Sequence, residues 1–399
     1  MNAKHLKSYM TLQKLVARKF RQANQSPYTV YSNMGSCAQI FSGFDLELVP
    51  VYPQLRNVLQ VEKYVVEALQ MATYRGYNAD LCSDLRCEIG KQYVVDELRA
   101  KLPPADFVFA MNFTCNASVG LFDSWLQLNP EAEHYLVDVP HVVGDEVPES
   151  SVDYVHAQLL EVIAKLERFF KLPFDVDRFR SATVWSGRSM NLMNDILKLS
   201  AHNPSPISLT SFQPYLIPLA YYNQFEETYD YLVALKKELE EVIQNSQEQK
   251  ERIRLCWDFL PFYKYMPDVE ALLKEHDAKI VTGTSLTSAM EWPSGEWCQS
   301  TDDPVRLLAY TYVQHHFKRN YRYKADVLSG WIKEGGLHGI IFHSARNCKA
   351  HSLPHFLVME ELQKELGIPT LVIEADVLDP KAYSKSYVLN RLEAFLETL

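Results

Sequence analysis

Seven cysteines are the residues in this 399-residue chain most able to do chemistry: Cys37, Cys82, Cys87, Cys115, Cys256, Cys298 and Cys348. Their number is odd and their spacing wide, and no Cys-x-x-Cys pair occurs, which excludes zinc-ribbon and thioredoxin patterns. Cys115 closes FVFAMNFTC and Cys348 closes GIIFHSARNC, so each follows a short apolar run. Cys82 lies in YRGYNADLCSDLRCEIG, where Gly76 and Asn78–Asp80 supply the turn chemistry of a helix break. Three thiolates from distant loops suit an iron–sulfur cluster better than zinc, which normally takes four ligands including a close-spaced pair. The alternative is that all seven are small buried hydrophobes, as free cysteines commonly are.

The elements that must carry these loops are legible as alternating runs. Four short apolar runs lie in the first 140 residues, at Tyr28–Ser32, Glu47–Tyr52, Asp106–Met111 and His134–Val139. Four more lie at Ile253–Phe259, Lys279–Gly283, Gly339–His343 and Thr370–Glu374, with the same short–long–short spacing. Runs alternating with helical stretches predict βαβ units and parallel sheets. Between the two sets, Val152–Phe170, Asp175–Leu199 and Phe225–Gln249 have amphipathic helical spacing. The expected fold is therefore α/β: two Rossmann-like open parallel-sheet domains of similar topology, joined by a helical segment. The expected borders are 1–150, 151–250 and 251–399. Cys115 and Cys348 then sit beyond the carboxyl ends of strands, where open α/β sheets bind ligands, and a cleft between the domains would bring Cys82 to them.

Composition narrows the function. Hydrophobic residues make up 47% and charged residues 23%, and the net charge is −10 with no basic block, which argues against nucleic-acid and anionic-membrane partners. No apolar run reaches the length of a spanning helix, and MNAKHLKSYM lacks the apolar core of a signal peptide. A reducing cytoplasm is the expected compartment. GxSxG, GxxxxGK[ST], HExxH and GxGxxG are absent, so ATP is expected to be handled by a partner.

On these residues the chain resembles the 2-hydroxyacyl-CoA dehydratase and benzoyl-CoA reductase subunits. YNADLCSDLRCEIG is similar to the family's first cysteine segment and FTCNASVGLFDSW to its second. The third is carried by HSARNCKAHS with the following GIPTLVIEAD, Asp-Pro and Arg-led terminal helix. VTGTSLTSAMEW and the run from Arg319 to Lys324 also fit, and the likeness spans about residues 25–399. The resemblance implies a 4Fe–4S cluster between the domains, held here by Cys82, Cys115 and Cys348. It implies a paralogous iron–sulfur subunit and an ATP-hydrolysing activator that supplies a low-potential electron. The substrate would be a coenzyme A thioester. The dehydratases use the electron to form a ketyl radical and expel hydroxide from a 2-hydroxyacyl-CoA; the reductases deliver electrons to the aromatic ring of benzoyl-CoA. ELVPVYPQ and EWPSGEWCQSTDDPVRLLA look closer to the reductases, which is the preferred reading, with the dehydratase as alternative and a non-catalytic paired subunit as a second alternative. The family's Pro-x-Glu segment after the first strand is replaced here by SNMGSCAQIFSGFDLE, which weighs against direct dehydratase chemistry.

Further candidates surround the expected cleft. Cys37, after the first strand, is placed to touch thioester or cluster, or is a packed thiol. His343, His351 and His355 bracket Cys348; His351 is the candidate proton donor, its ordinary pKa lying near neutrality. Glu291, among Trp292 and Trp297, is a second candidate donor, or an ordinary loop carboxylate. Arg346 and Lys349 flank Cys348 and, with Arg319 and Arg322, are candidates for the CoA phosphates or for offsetting cluster charge; the alternative is a solvated basic patch. Glu374 and Asp376 end a strand in the same crevice and are expected to order the loop beneath the cluster.

Overall fold

The computed structural model describes residues 6–33, 36–46, 51–53, 62–94, 103–115, 117–212, 217–247, 249–262, 264–284 and 292–399. All eight apolar runs overlap strands: β1 (Val30–Ser32), β2 (Val51–Pro53), β3 (Phe107–Met111), β4 (Glu133–Val137), β5 (Ile253–Asp258), β6 (Ala278–Gly283), β7 (Gly339–Ser344) and β8 (Thr370–Glu374). They form two parallel four-stranded sheets with the orders β2-β1-β3-β4 and β6-β5-β7-β8. The spacing rhythm repeated in the sequence is thus a repeated topology. Every residue of β3 and of β5 is buried. Parallel strands covered on both faces must be apolar throughout, which is why they read as unbroken runs.

In each sheet the chain leaves one inner strand to one side and returns on its other side. This switch opens a crevice at the carboxyl ends of β1 and β3, and another at those of β5 and β7. Asn33, Ser36 and Cys37 follow β1, and Cys115 follows β3. Asp258 ends β5, and Cys348 follows β7.

The principal helices are α1 (Lys7–Gln25), α2 (Glu62–Tyr74), α3 (Ser83–Val94), α4 (Ala117–Leu128), α5 (Glu149–Phe170), α6 (Val176–Lys198), α7 (Glu226–Asn245), α8 (Met266–Glu275), α9 (Pro304–Gln314), α10 (Tyr321–Gly335), α11 (Lys349–Ser352), α12 (His355–Leu366) and α13 (Lys385–Leu396). Their packing crosses the sequence halves. Val305, Leu308, Ala309 and Val313 of α9 share one core with Val152, Val155 and Leu159 of α5 and with Phe107 and Phe109 of β3. Leu12 of α1 joins the core of the second sheet, with Leu232 and Leu235 of α7 and Trp257 of β5. Each half lends a helix to the other.

The hairpin of α2 and α3 is the remaining piece. A Cβ on Gly90 of α3 would collide with the Ala68 carbonyl oxygen of α2, so only glycine permits this approach. Val65, Ala68 and Leu69 of α2 and Cys87 of α3 pack with Phe259, Ala345, Val377 and Leu378, which come from loops at the carboxyl end of the second sheet. The hairpin therefore bridges the halves and delivers Cys82 to the cleft.

Candidate metal centre

Cys82, Cys115 and Cys348 each open a helical turn. Cys82 is the N-cap of α3, its carbonyl accepting from Arg86 N at 2.9 Å. Cys115 lies two residues before α4, its carbonyl held by the Ser118 hydroxyl at 2.6 Å. Cys348 caps α11, its carbonyl accepting from Ser352 N at 3.0 Å. The sulfurs also face backbone donors: Leu85 N–H for Cys82, and His351 and Ala350 N–H for Cys348.

The three thiols interact electrostatically. Burial holds Cys82 well above the ordinary thiol value, and Asp84, Cys348 and Cys115 add to it. Burial pushes Cys348 up to about 12, with Cys115 adding and Lys324 opposing. Cys82 and Cys348, held up in this way, stay protonated until a strongly positive centre displaces the protons. Among the described residues no group of three His, Cys, Asp or Glu side chains converges tightly enough to hold a single metal ion. A polynuclear group has a different requirement, because each thiolate binds a different iron and the sulfurs need not meet at one point. The donor set, thiols only and from three loops, fits an iron–sulfur cluster and does not fit structural zinc.

Asp376 fastens the loops beneath these cysteines. Its carboxylate accepts from the hydroxyl of Ser83, next to Cys82, and from the amide of Asn347, next to Cys348. It also takes the N–H groups of Leu378 at 2.8 Å and Asp379 at 2.7 Å. Arg86 adds a second tie, pairing with Asp379 at 3.1 Å while donating to the Leu81 carbonyl at 3.1 Å.

The residues match a family model described as 2-hydroxyglutaryl-CoA dehydratase, D-component, over positions 44–399. The chain belongs to that family. Lactoyl-CoA dehydratase subunit alpha of Anaerotignum propionicum is 23% identical over 370 residues, which cover 88% of this chain and 86% of the relative. The (R)-2-hydroxyisocaproyl-CoA dehydratase alpha subunit of Clostridioides difficile is 23% identical over 361 residues, covering 89% and 86%. A benzoyl-CoA reductase subunit of Thauera aromatica is 24% identical over 339 residues, covering 81% and 77%. Among the described residues, this D-component family member has no helix long and apolar enough to cross a membrane.

The other candidates fall in different places. His351 is buried, its ring 4.5 Å from that of Phe259, a residue held at φ 90° beside the end of β5. Burial and then Lys324 hold His351 well below its ordinary pKa, so the ring is neutral. His343 is fully buried and pulled down to about 4 by burial. Arg346 is exposed and pairs with Glu374 at 2.6 Å, and Lys349 donates to the Arg346 carbonyl at 2.8 Å; both stay on the rim of the Cys348 loop. Arg319 is largely buried, donating to the Asp145 carbonyl and stacking over Tyr323, while Arg322 is exposed against Tyr321. Cys37 is fully buried, its N–H 3.2 Å from the Met111 sulfur. Cys87, Cys256 and Cys298 are buried as well, and all seven cysteines are free thiols. Glu291 lies outside the described residues.

Three buried charged groups that were not among the sequence candidates join the site. Asp258 is fully buried at the end of β5; its carboxylate lies 3.1 Å from Lys324 Nζ and 3.0 Å from His355 Nε2. Burial opposes its ionisation, yet Lys324, then His355, outweigh burial and hold the carboxyl well below its ordinary value. Lys324 also faces His351 Nδ1 at 3.5 Å, which makes that nitrogen the acceptor and puts the ring proton on Nε2. Lys318 donates to the Asn112 carbonyl at 2.7 Å, and burial lowers it to about 8 against the pull of Asp138 and Cys115.

Proposed function

We propose that this chain is the iron–sulfur subunit of an acyl-CoA-acting complex, holding a 4Fe–4S cluster through Cys82, Cys115 and Cys348. The observation that carries the reading is that thiols from loops of both halves come together: Cys82 and Cys115 pack against one core, and Asp376 fastens the Cys82 loop to the Cys348 loop. Such a group, when bound, supplies one electron at low potential. The chain's own part is to hold the thiolates and to donate backbone N–H groups to the sulfurs of Cys82 and Cys348. A cluster with three protein thiolates leaves a position for a fourth ligand.

The relatives are themselves named as subunits, which supports a partner chain; we assign a paralogous iron–sulfur chain to that role and an ATP-hydrolysing activator to electron supply. Arg346 and Lys349, on the rim beside Cys348, are the cations placed for the phosphates of a coenzyme A thioester. His351, neutral with its proton on Nε2, is the proton-bearing group three residues from Cys348. Seven free thiols suit the cytoplasm.

Two chemistries use such an electron. Transfer to the aromatic ring of benzoyl-CoA is favoured by the described residues after β1: Asn33, Ser36 and Cys37 include no carboxylate, and Ser36 is occupied with Asn33 O at 2.8 Å. Loss of water from a 2-hydroxyacyl-CoA is favoured by the family description and by the names of the lactoyl- and 2-hydroxyisocaproyl-CoA relatives. Anaerobic purification followed by iron analysis and EPR tests the cluster. About four irons per chain, lost in Cys82→Ala, Cys115→Ala and Cys348→Ala but kept in Cys37→Ala, is the expected result. A chain without iron overturns the reading. Assay of the complex with its activator on benzoyl-CoA and on a 2-hydroxyacyl-CoA separates the two chemistries.

A further inference from the structure

Two lysines flank the three-thiol site from inside the protein. Lys318 is 7% exposed and Lys324 is 6% exposed, in a segment whose arginines lie elsewhere. Lys318 holds its ammonium on the carbonyl of Asn112, three residues before Cys115, and interacts electrostatically with that thiol. Lys324 is clamped between Asp258 and His351, and its charge acts on Cys348, whose sulfur takes the backbone N–H of His351. Each ammonium is fixed by a partner on a different element, so neither can leave for solvent when the site empties.

The opposing charges are carboxylates, among them Asp376, which ties the Cys82 and Cys348 loops. Asp138 faces Lys318 and Asp258 faces Lys324. At Cys82 the charged neighbour is Asp84, which acts against the thiolate.

We infer that Lys318 and Lys324 are positioning cations of the thiol site, each stabilising negative charge on a group bound through Cys115 and Cys348. The inference rests on the cluster reading above and deepens it. A cluster on three thiolates is anionic, and one added electron makes it more so by one charge. A nearby fixed ammonium stabilises the reduced form more than the oxidised form, which raises the reduction potential. Buried anions without compensation are costly, so the same cations also support retention of the cluster. Their effect runs through the cysteines.

The test uses anaerobically purified protein: wild type, Lys318→Met, Lys324→Met, the matching Lys→Arg variants, and Lys333→Met as control. Lys333 is exposed and paired with Glu365, away from the site. Iron per chain is measured, and the midpoint potential is read by EPR during a titration with a low-potential chemical reductant. The methionine variants are expected to bind less iron or to reduce at a lower potential. Arginine is expected to restore both in part, and Lys333→Met to change neither. If Lys324→Met fails to fold because Asp258 loses its partner, Asp258→Asn with Lys324→Met removes the pair together and gives the same reading. Wild-type iron and midpoint in the methionine variants overturn the lysine assignment alone. A wild-type chain that holds no iron overturns the cluster reading and this inference with it.

Discussion

Ser83 and Asp376 are 293 positions apart, and the hydroxyl of the first donates to the carboxylate of the second. Ser83 follows Cys82 at the start of α3, and Asp376 follows β8 in the other half of the chain. Because the same carboxylate takes the Asn347 amide beside Cys348, one buried side chain sets the relation between two of the three cysteine loops.

Asp376→Ala should therefore do more than weaken the fold. It leaves the Ser83 hydroxyl, the Asn347 amide and two backbone N–H groups without their acceptor. Unsatisfied buried groups cost about 1–3 kcal/mol each, and partial rehydration reduces the sum, so a loss of at least about 3 kcal/mol is expected. Chemical unfolding measures it. Iron retention should fall in the same variant even where it remains folded, because the Cys82 and Cys348 loops lose their common anchor.

Gly90→Ala is expected to separate α2 from α3. The new methyl would meet the Ala68 backbone oxygen head-on, and backbone cannot swing aside as a side chain can. Overpacking of this kind costs about 1–3 kcal/mol, occasionally more. Since the hairpin carries Cys82, the variant should bind less iron than its unfolding free energy alone accounts for. Gly330→Ala, in α10 with open space around it, is the comparison that should leave iron unchanged.

How much of this was legible differs by residue. The strands were, because β3 and β5 are buried on both faces and no alternation interrupts them. The cysteine loops were, because Cys115 and Cys348 follow strands and Cys82 follows a turn. The loop-ordering contacts of Asp376 follow from its place after β8, where a short acid can reach the N–H groups of its own turn. Lys318 and Lys324 were not legible, because a lysine in KRNYRYK reads as solvated, and nothing local says which side chains of that segment turn inward. A signal for their neighbour did exist: Asp258 ends the apolar run IRLCWD, and a carboxylate inside a doubly covered strand demands a buried partner. The exchange of α1 and α9 between the halves left no trace, since an amphipathic stripe specifies that a helix packs but not against which sheet.

Acid should destabilise the protein through His343. Its Nδ1 lies 2.6 Å from the Leu260 carbonyl oxygen and its Nε2 3.1 Å from that of Ala375, and burial still outweighs both and holds the ring near pKa 4. An unfolded histidine titrates near 6.5, so between about pH 6.5 and 4 the unfolded chain binds a proton that the folded chain does not. Stability from this group is intact above about pH 6.5 and falls as pH drops, by about 3 kcal/mol at pH 4. Urea unfolding of wild type and His343→Gln at pH 7 and pH 4.5 checks the sign: the variant's disadvantage should shrink in acid. Parallel pH profiles would remove His343 as the cause.

The Asp258–Lys324 pair predicts an asymmetric double-mutant cycle. Asp258→Asn leaves the Lys324 ammonium buried with the neutral His351 as its remaining neighbour, and an uncompensated buried charge of this kind costs about 3–5 kcal/mol. Lys324→Met is expected to cost less, because Asp258 keeps the His355 ring nitrogen beside its carboxylate at 3.0 Å. Removing both members at once, as Asp258→Asn with Lys324→Met, eliminates the unpaired charge in either direction. The double variant should then be more stable than Asp258→Asn alone, with a coupling of about 2–3 kcal/mol by chemical unfolding. If the two single costs simply add, the pair is not the partner that keeps Asp258 ionised, and His355 alone must do so.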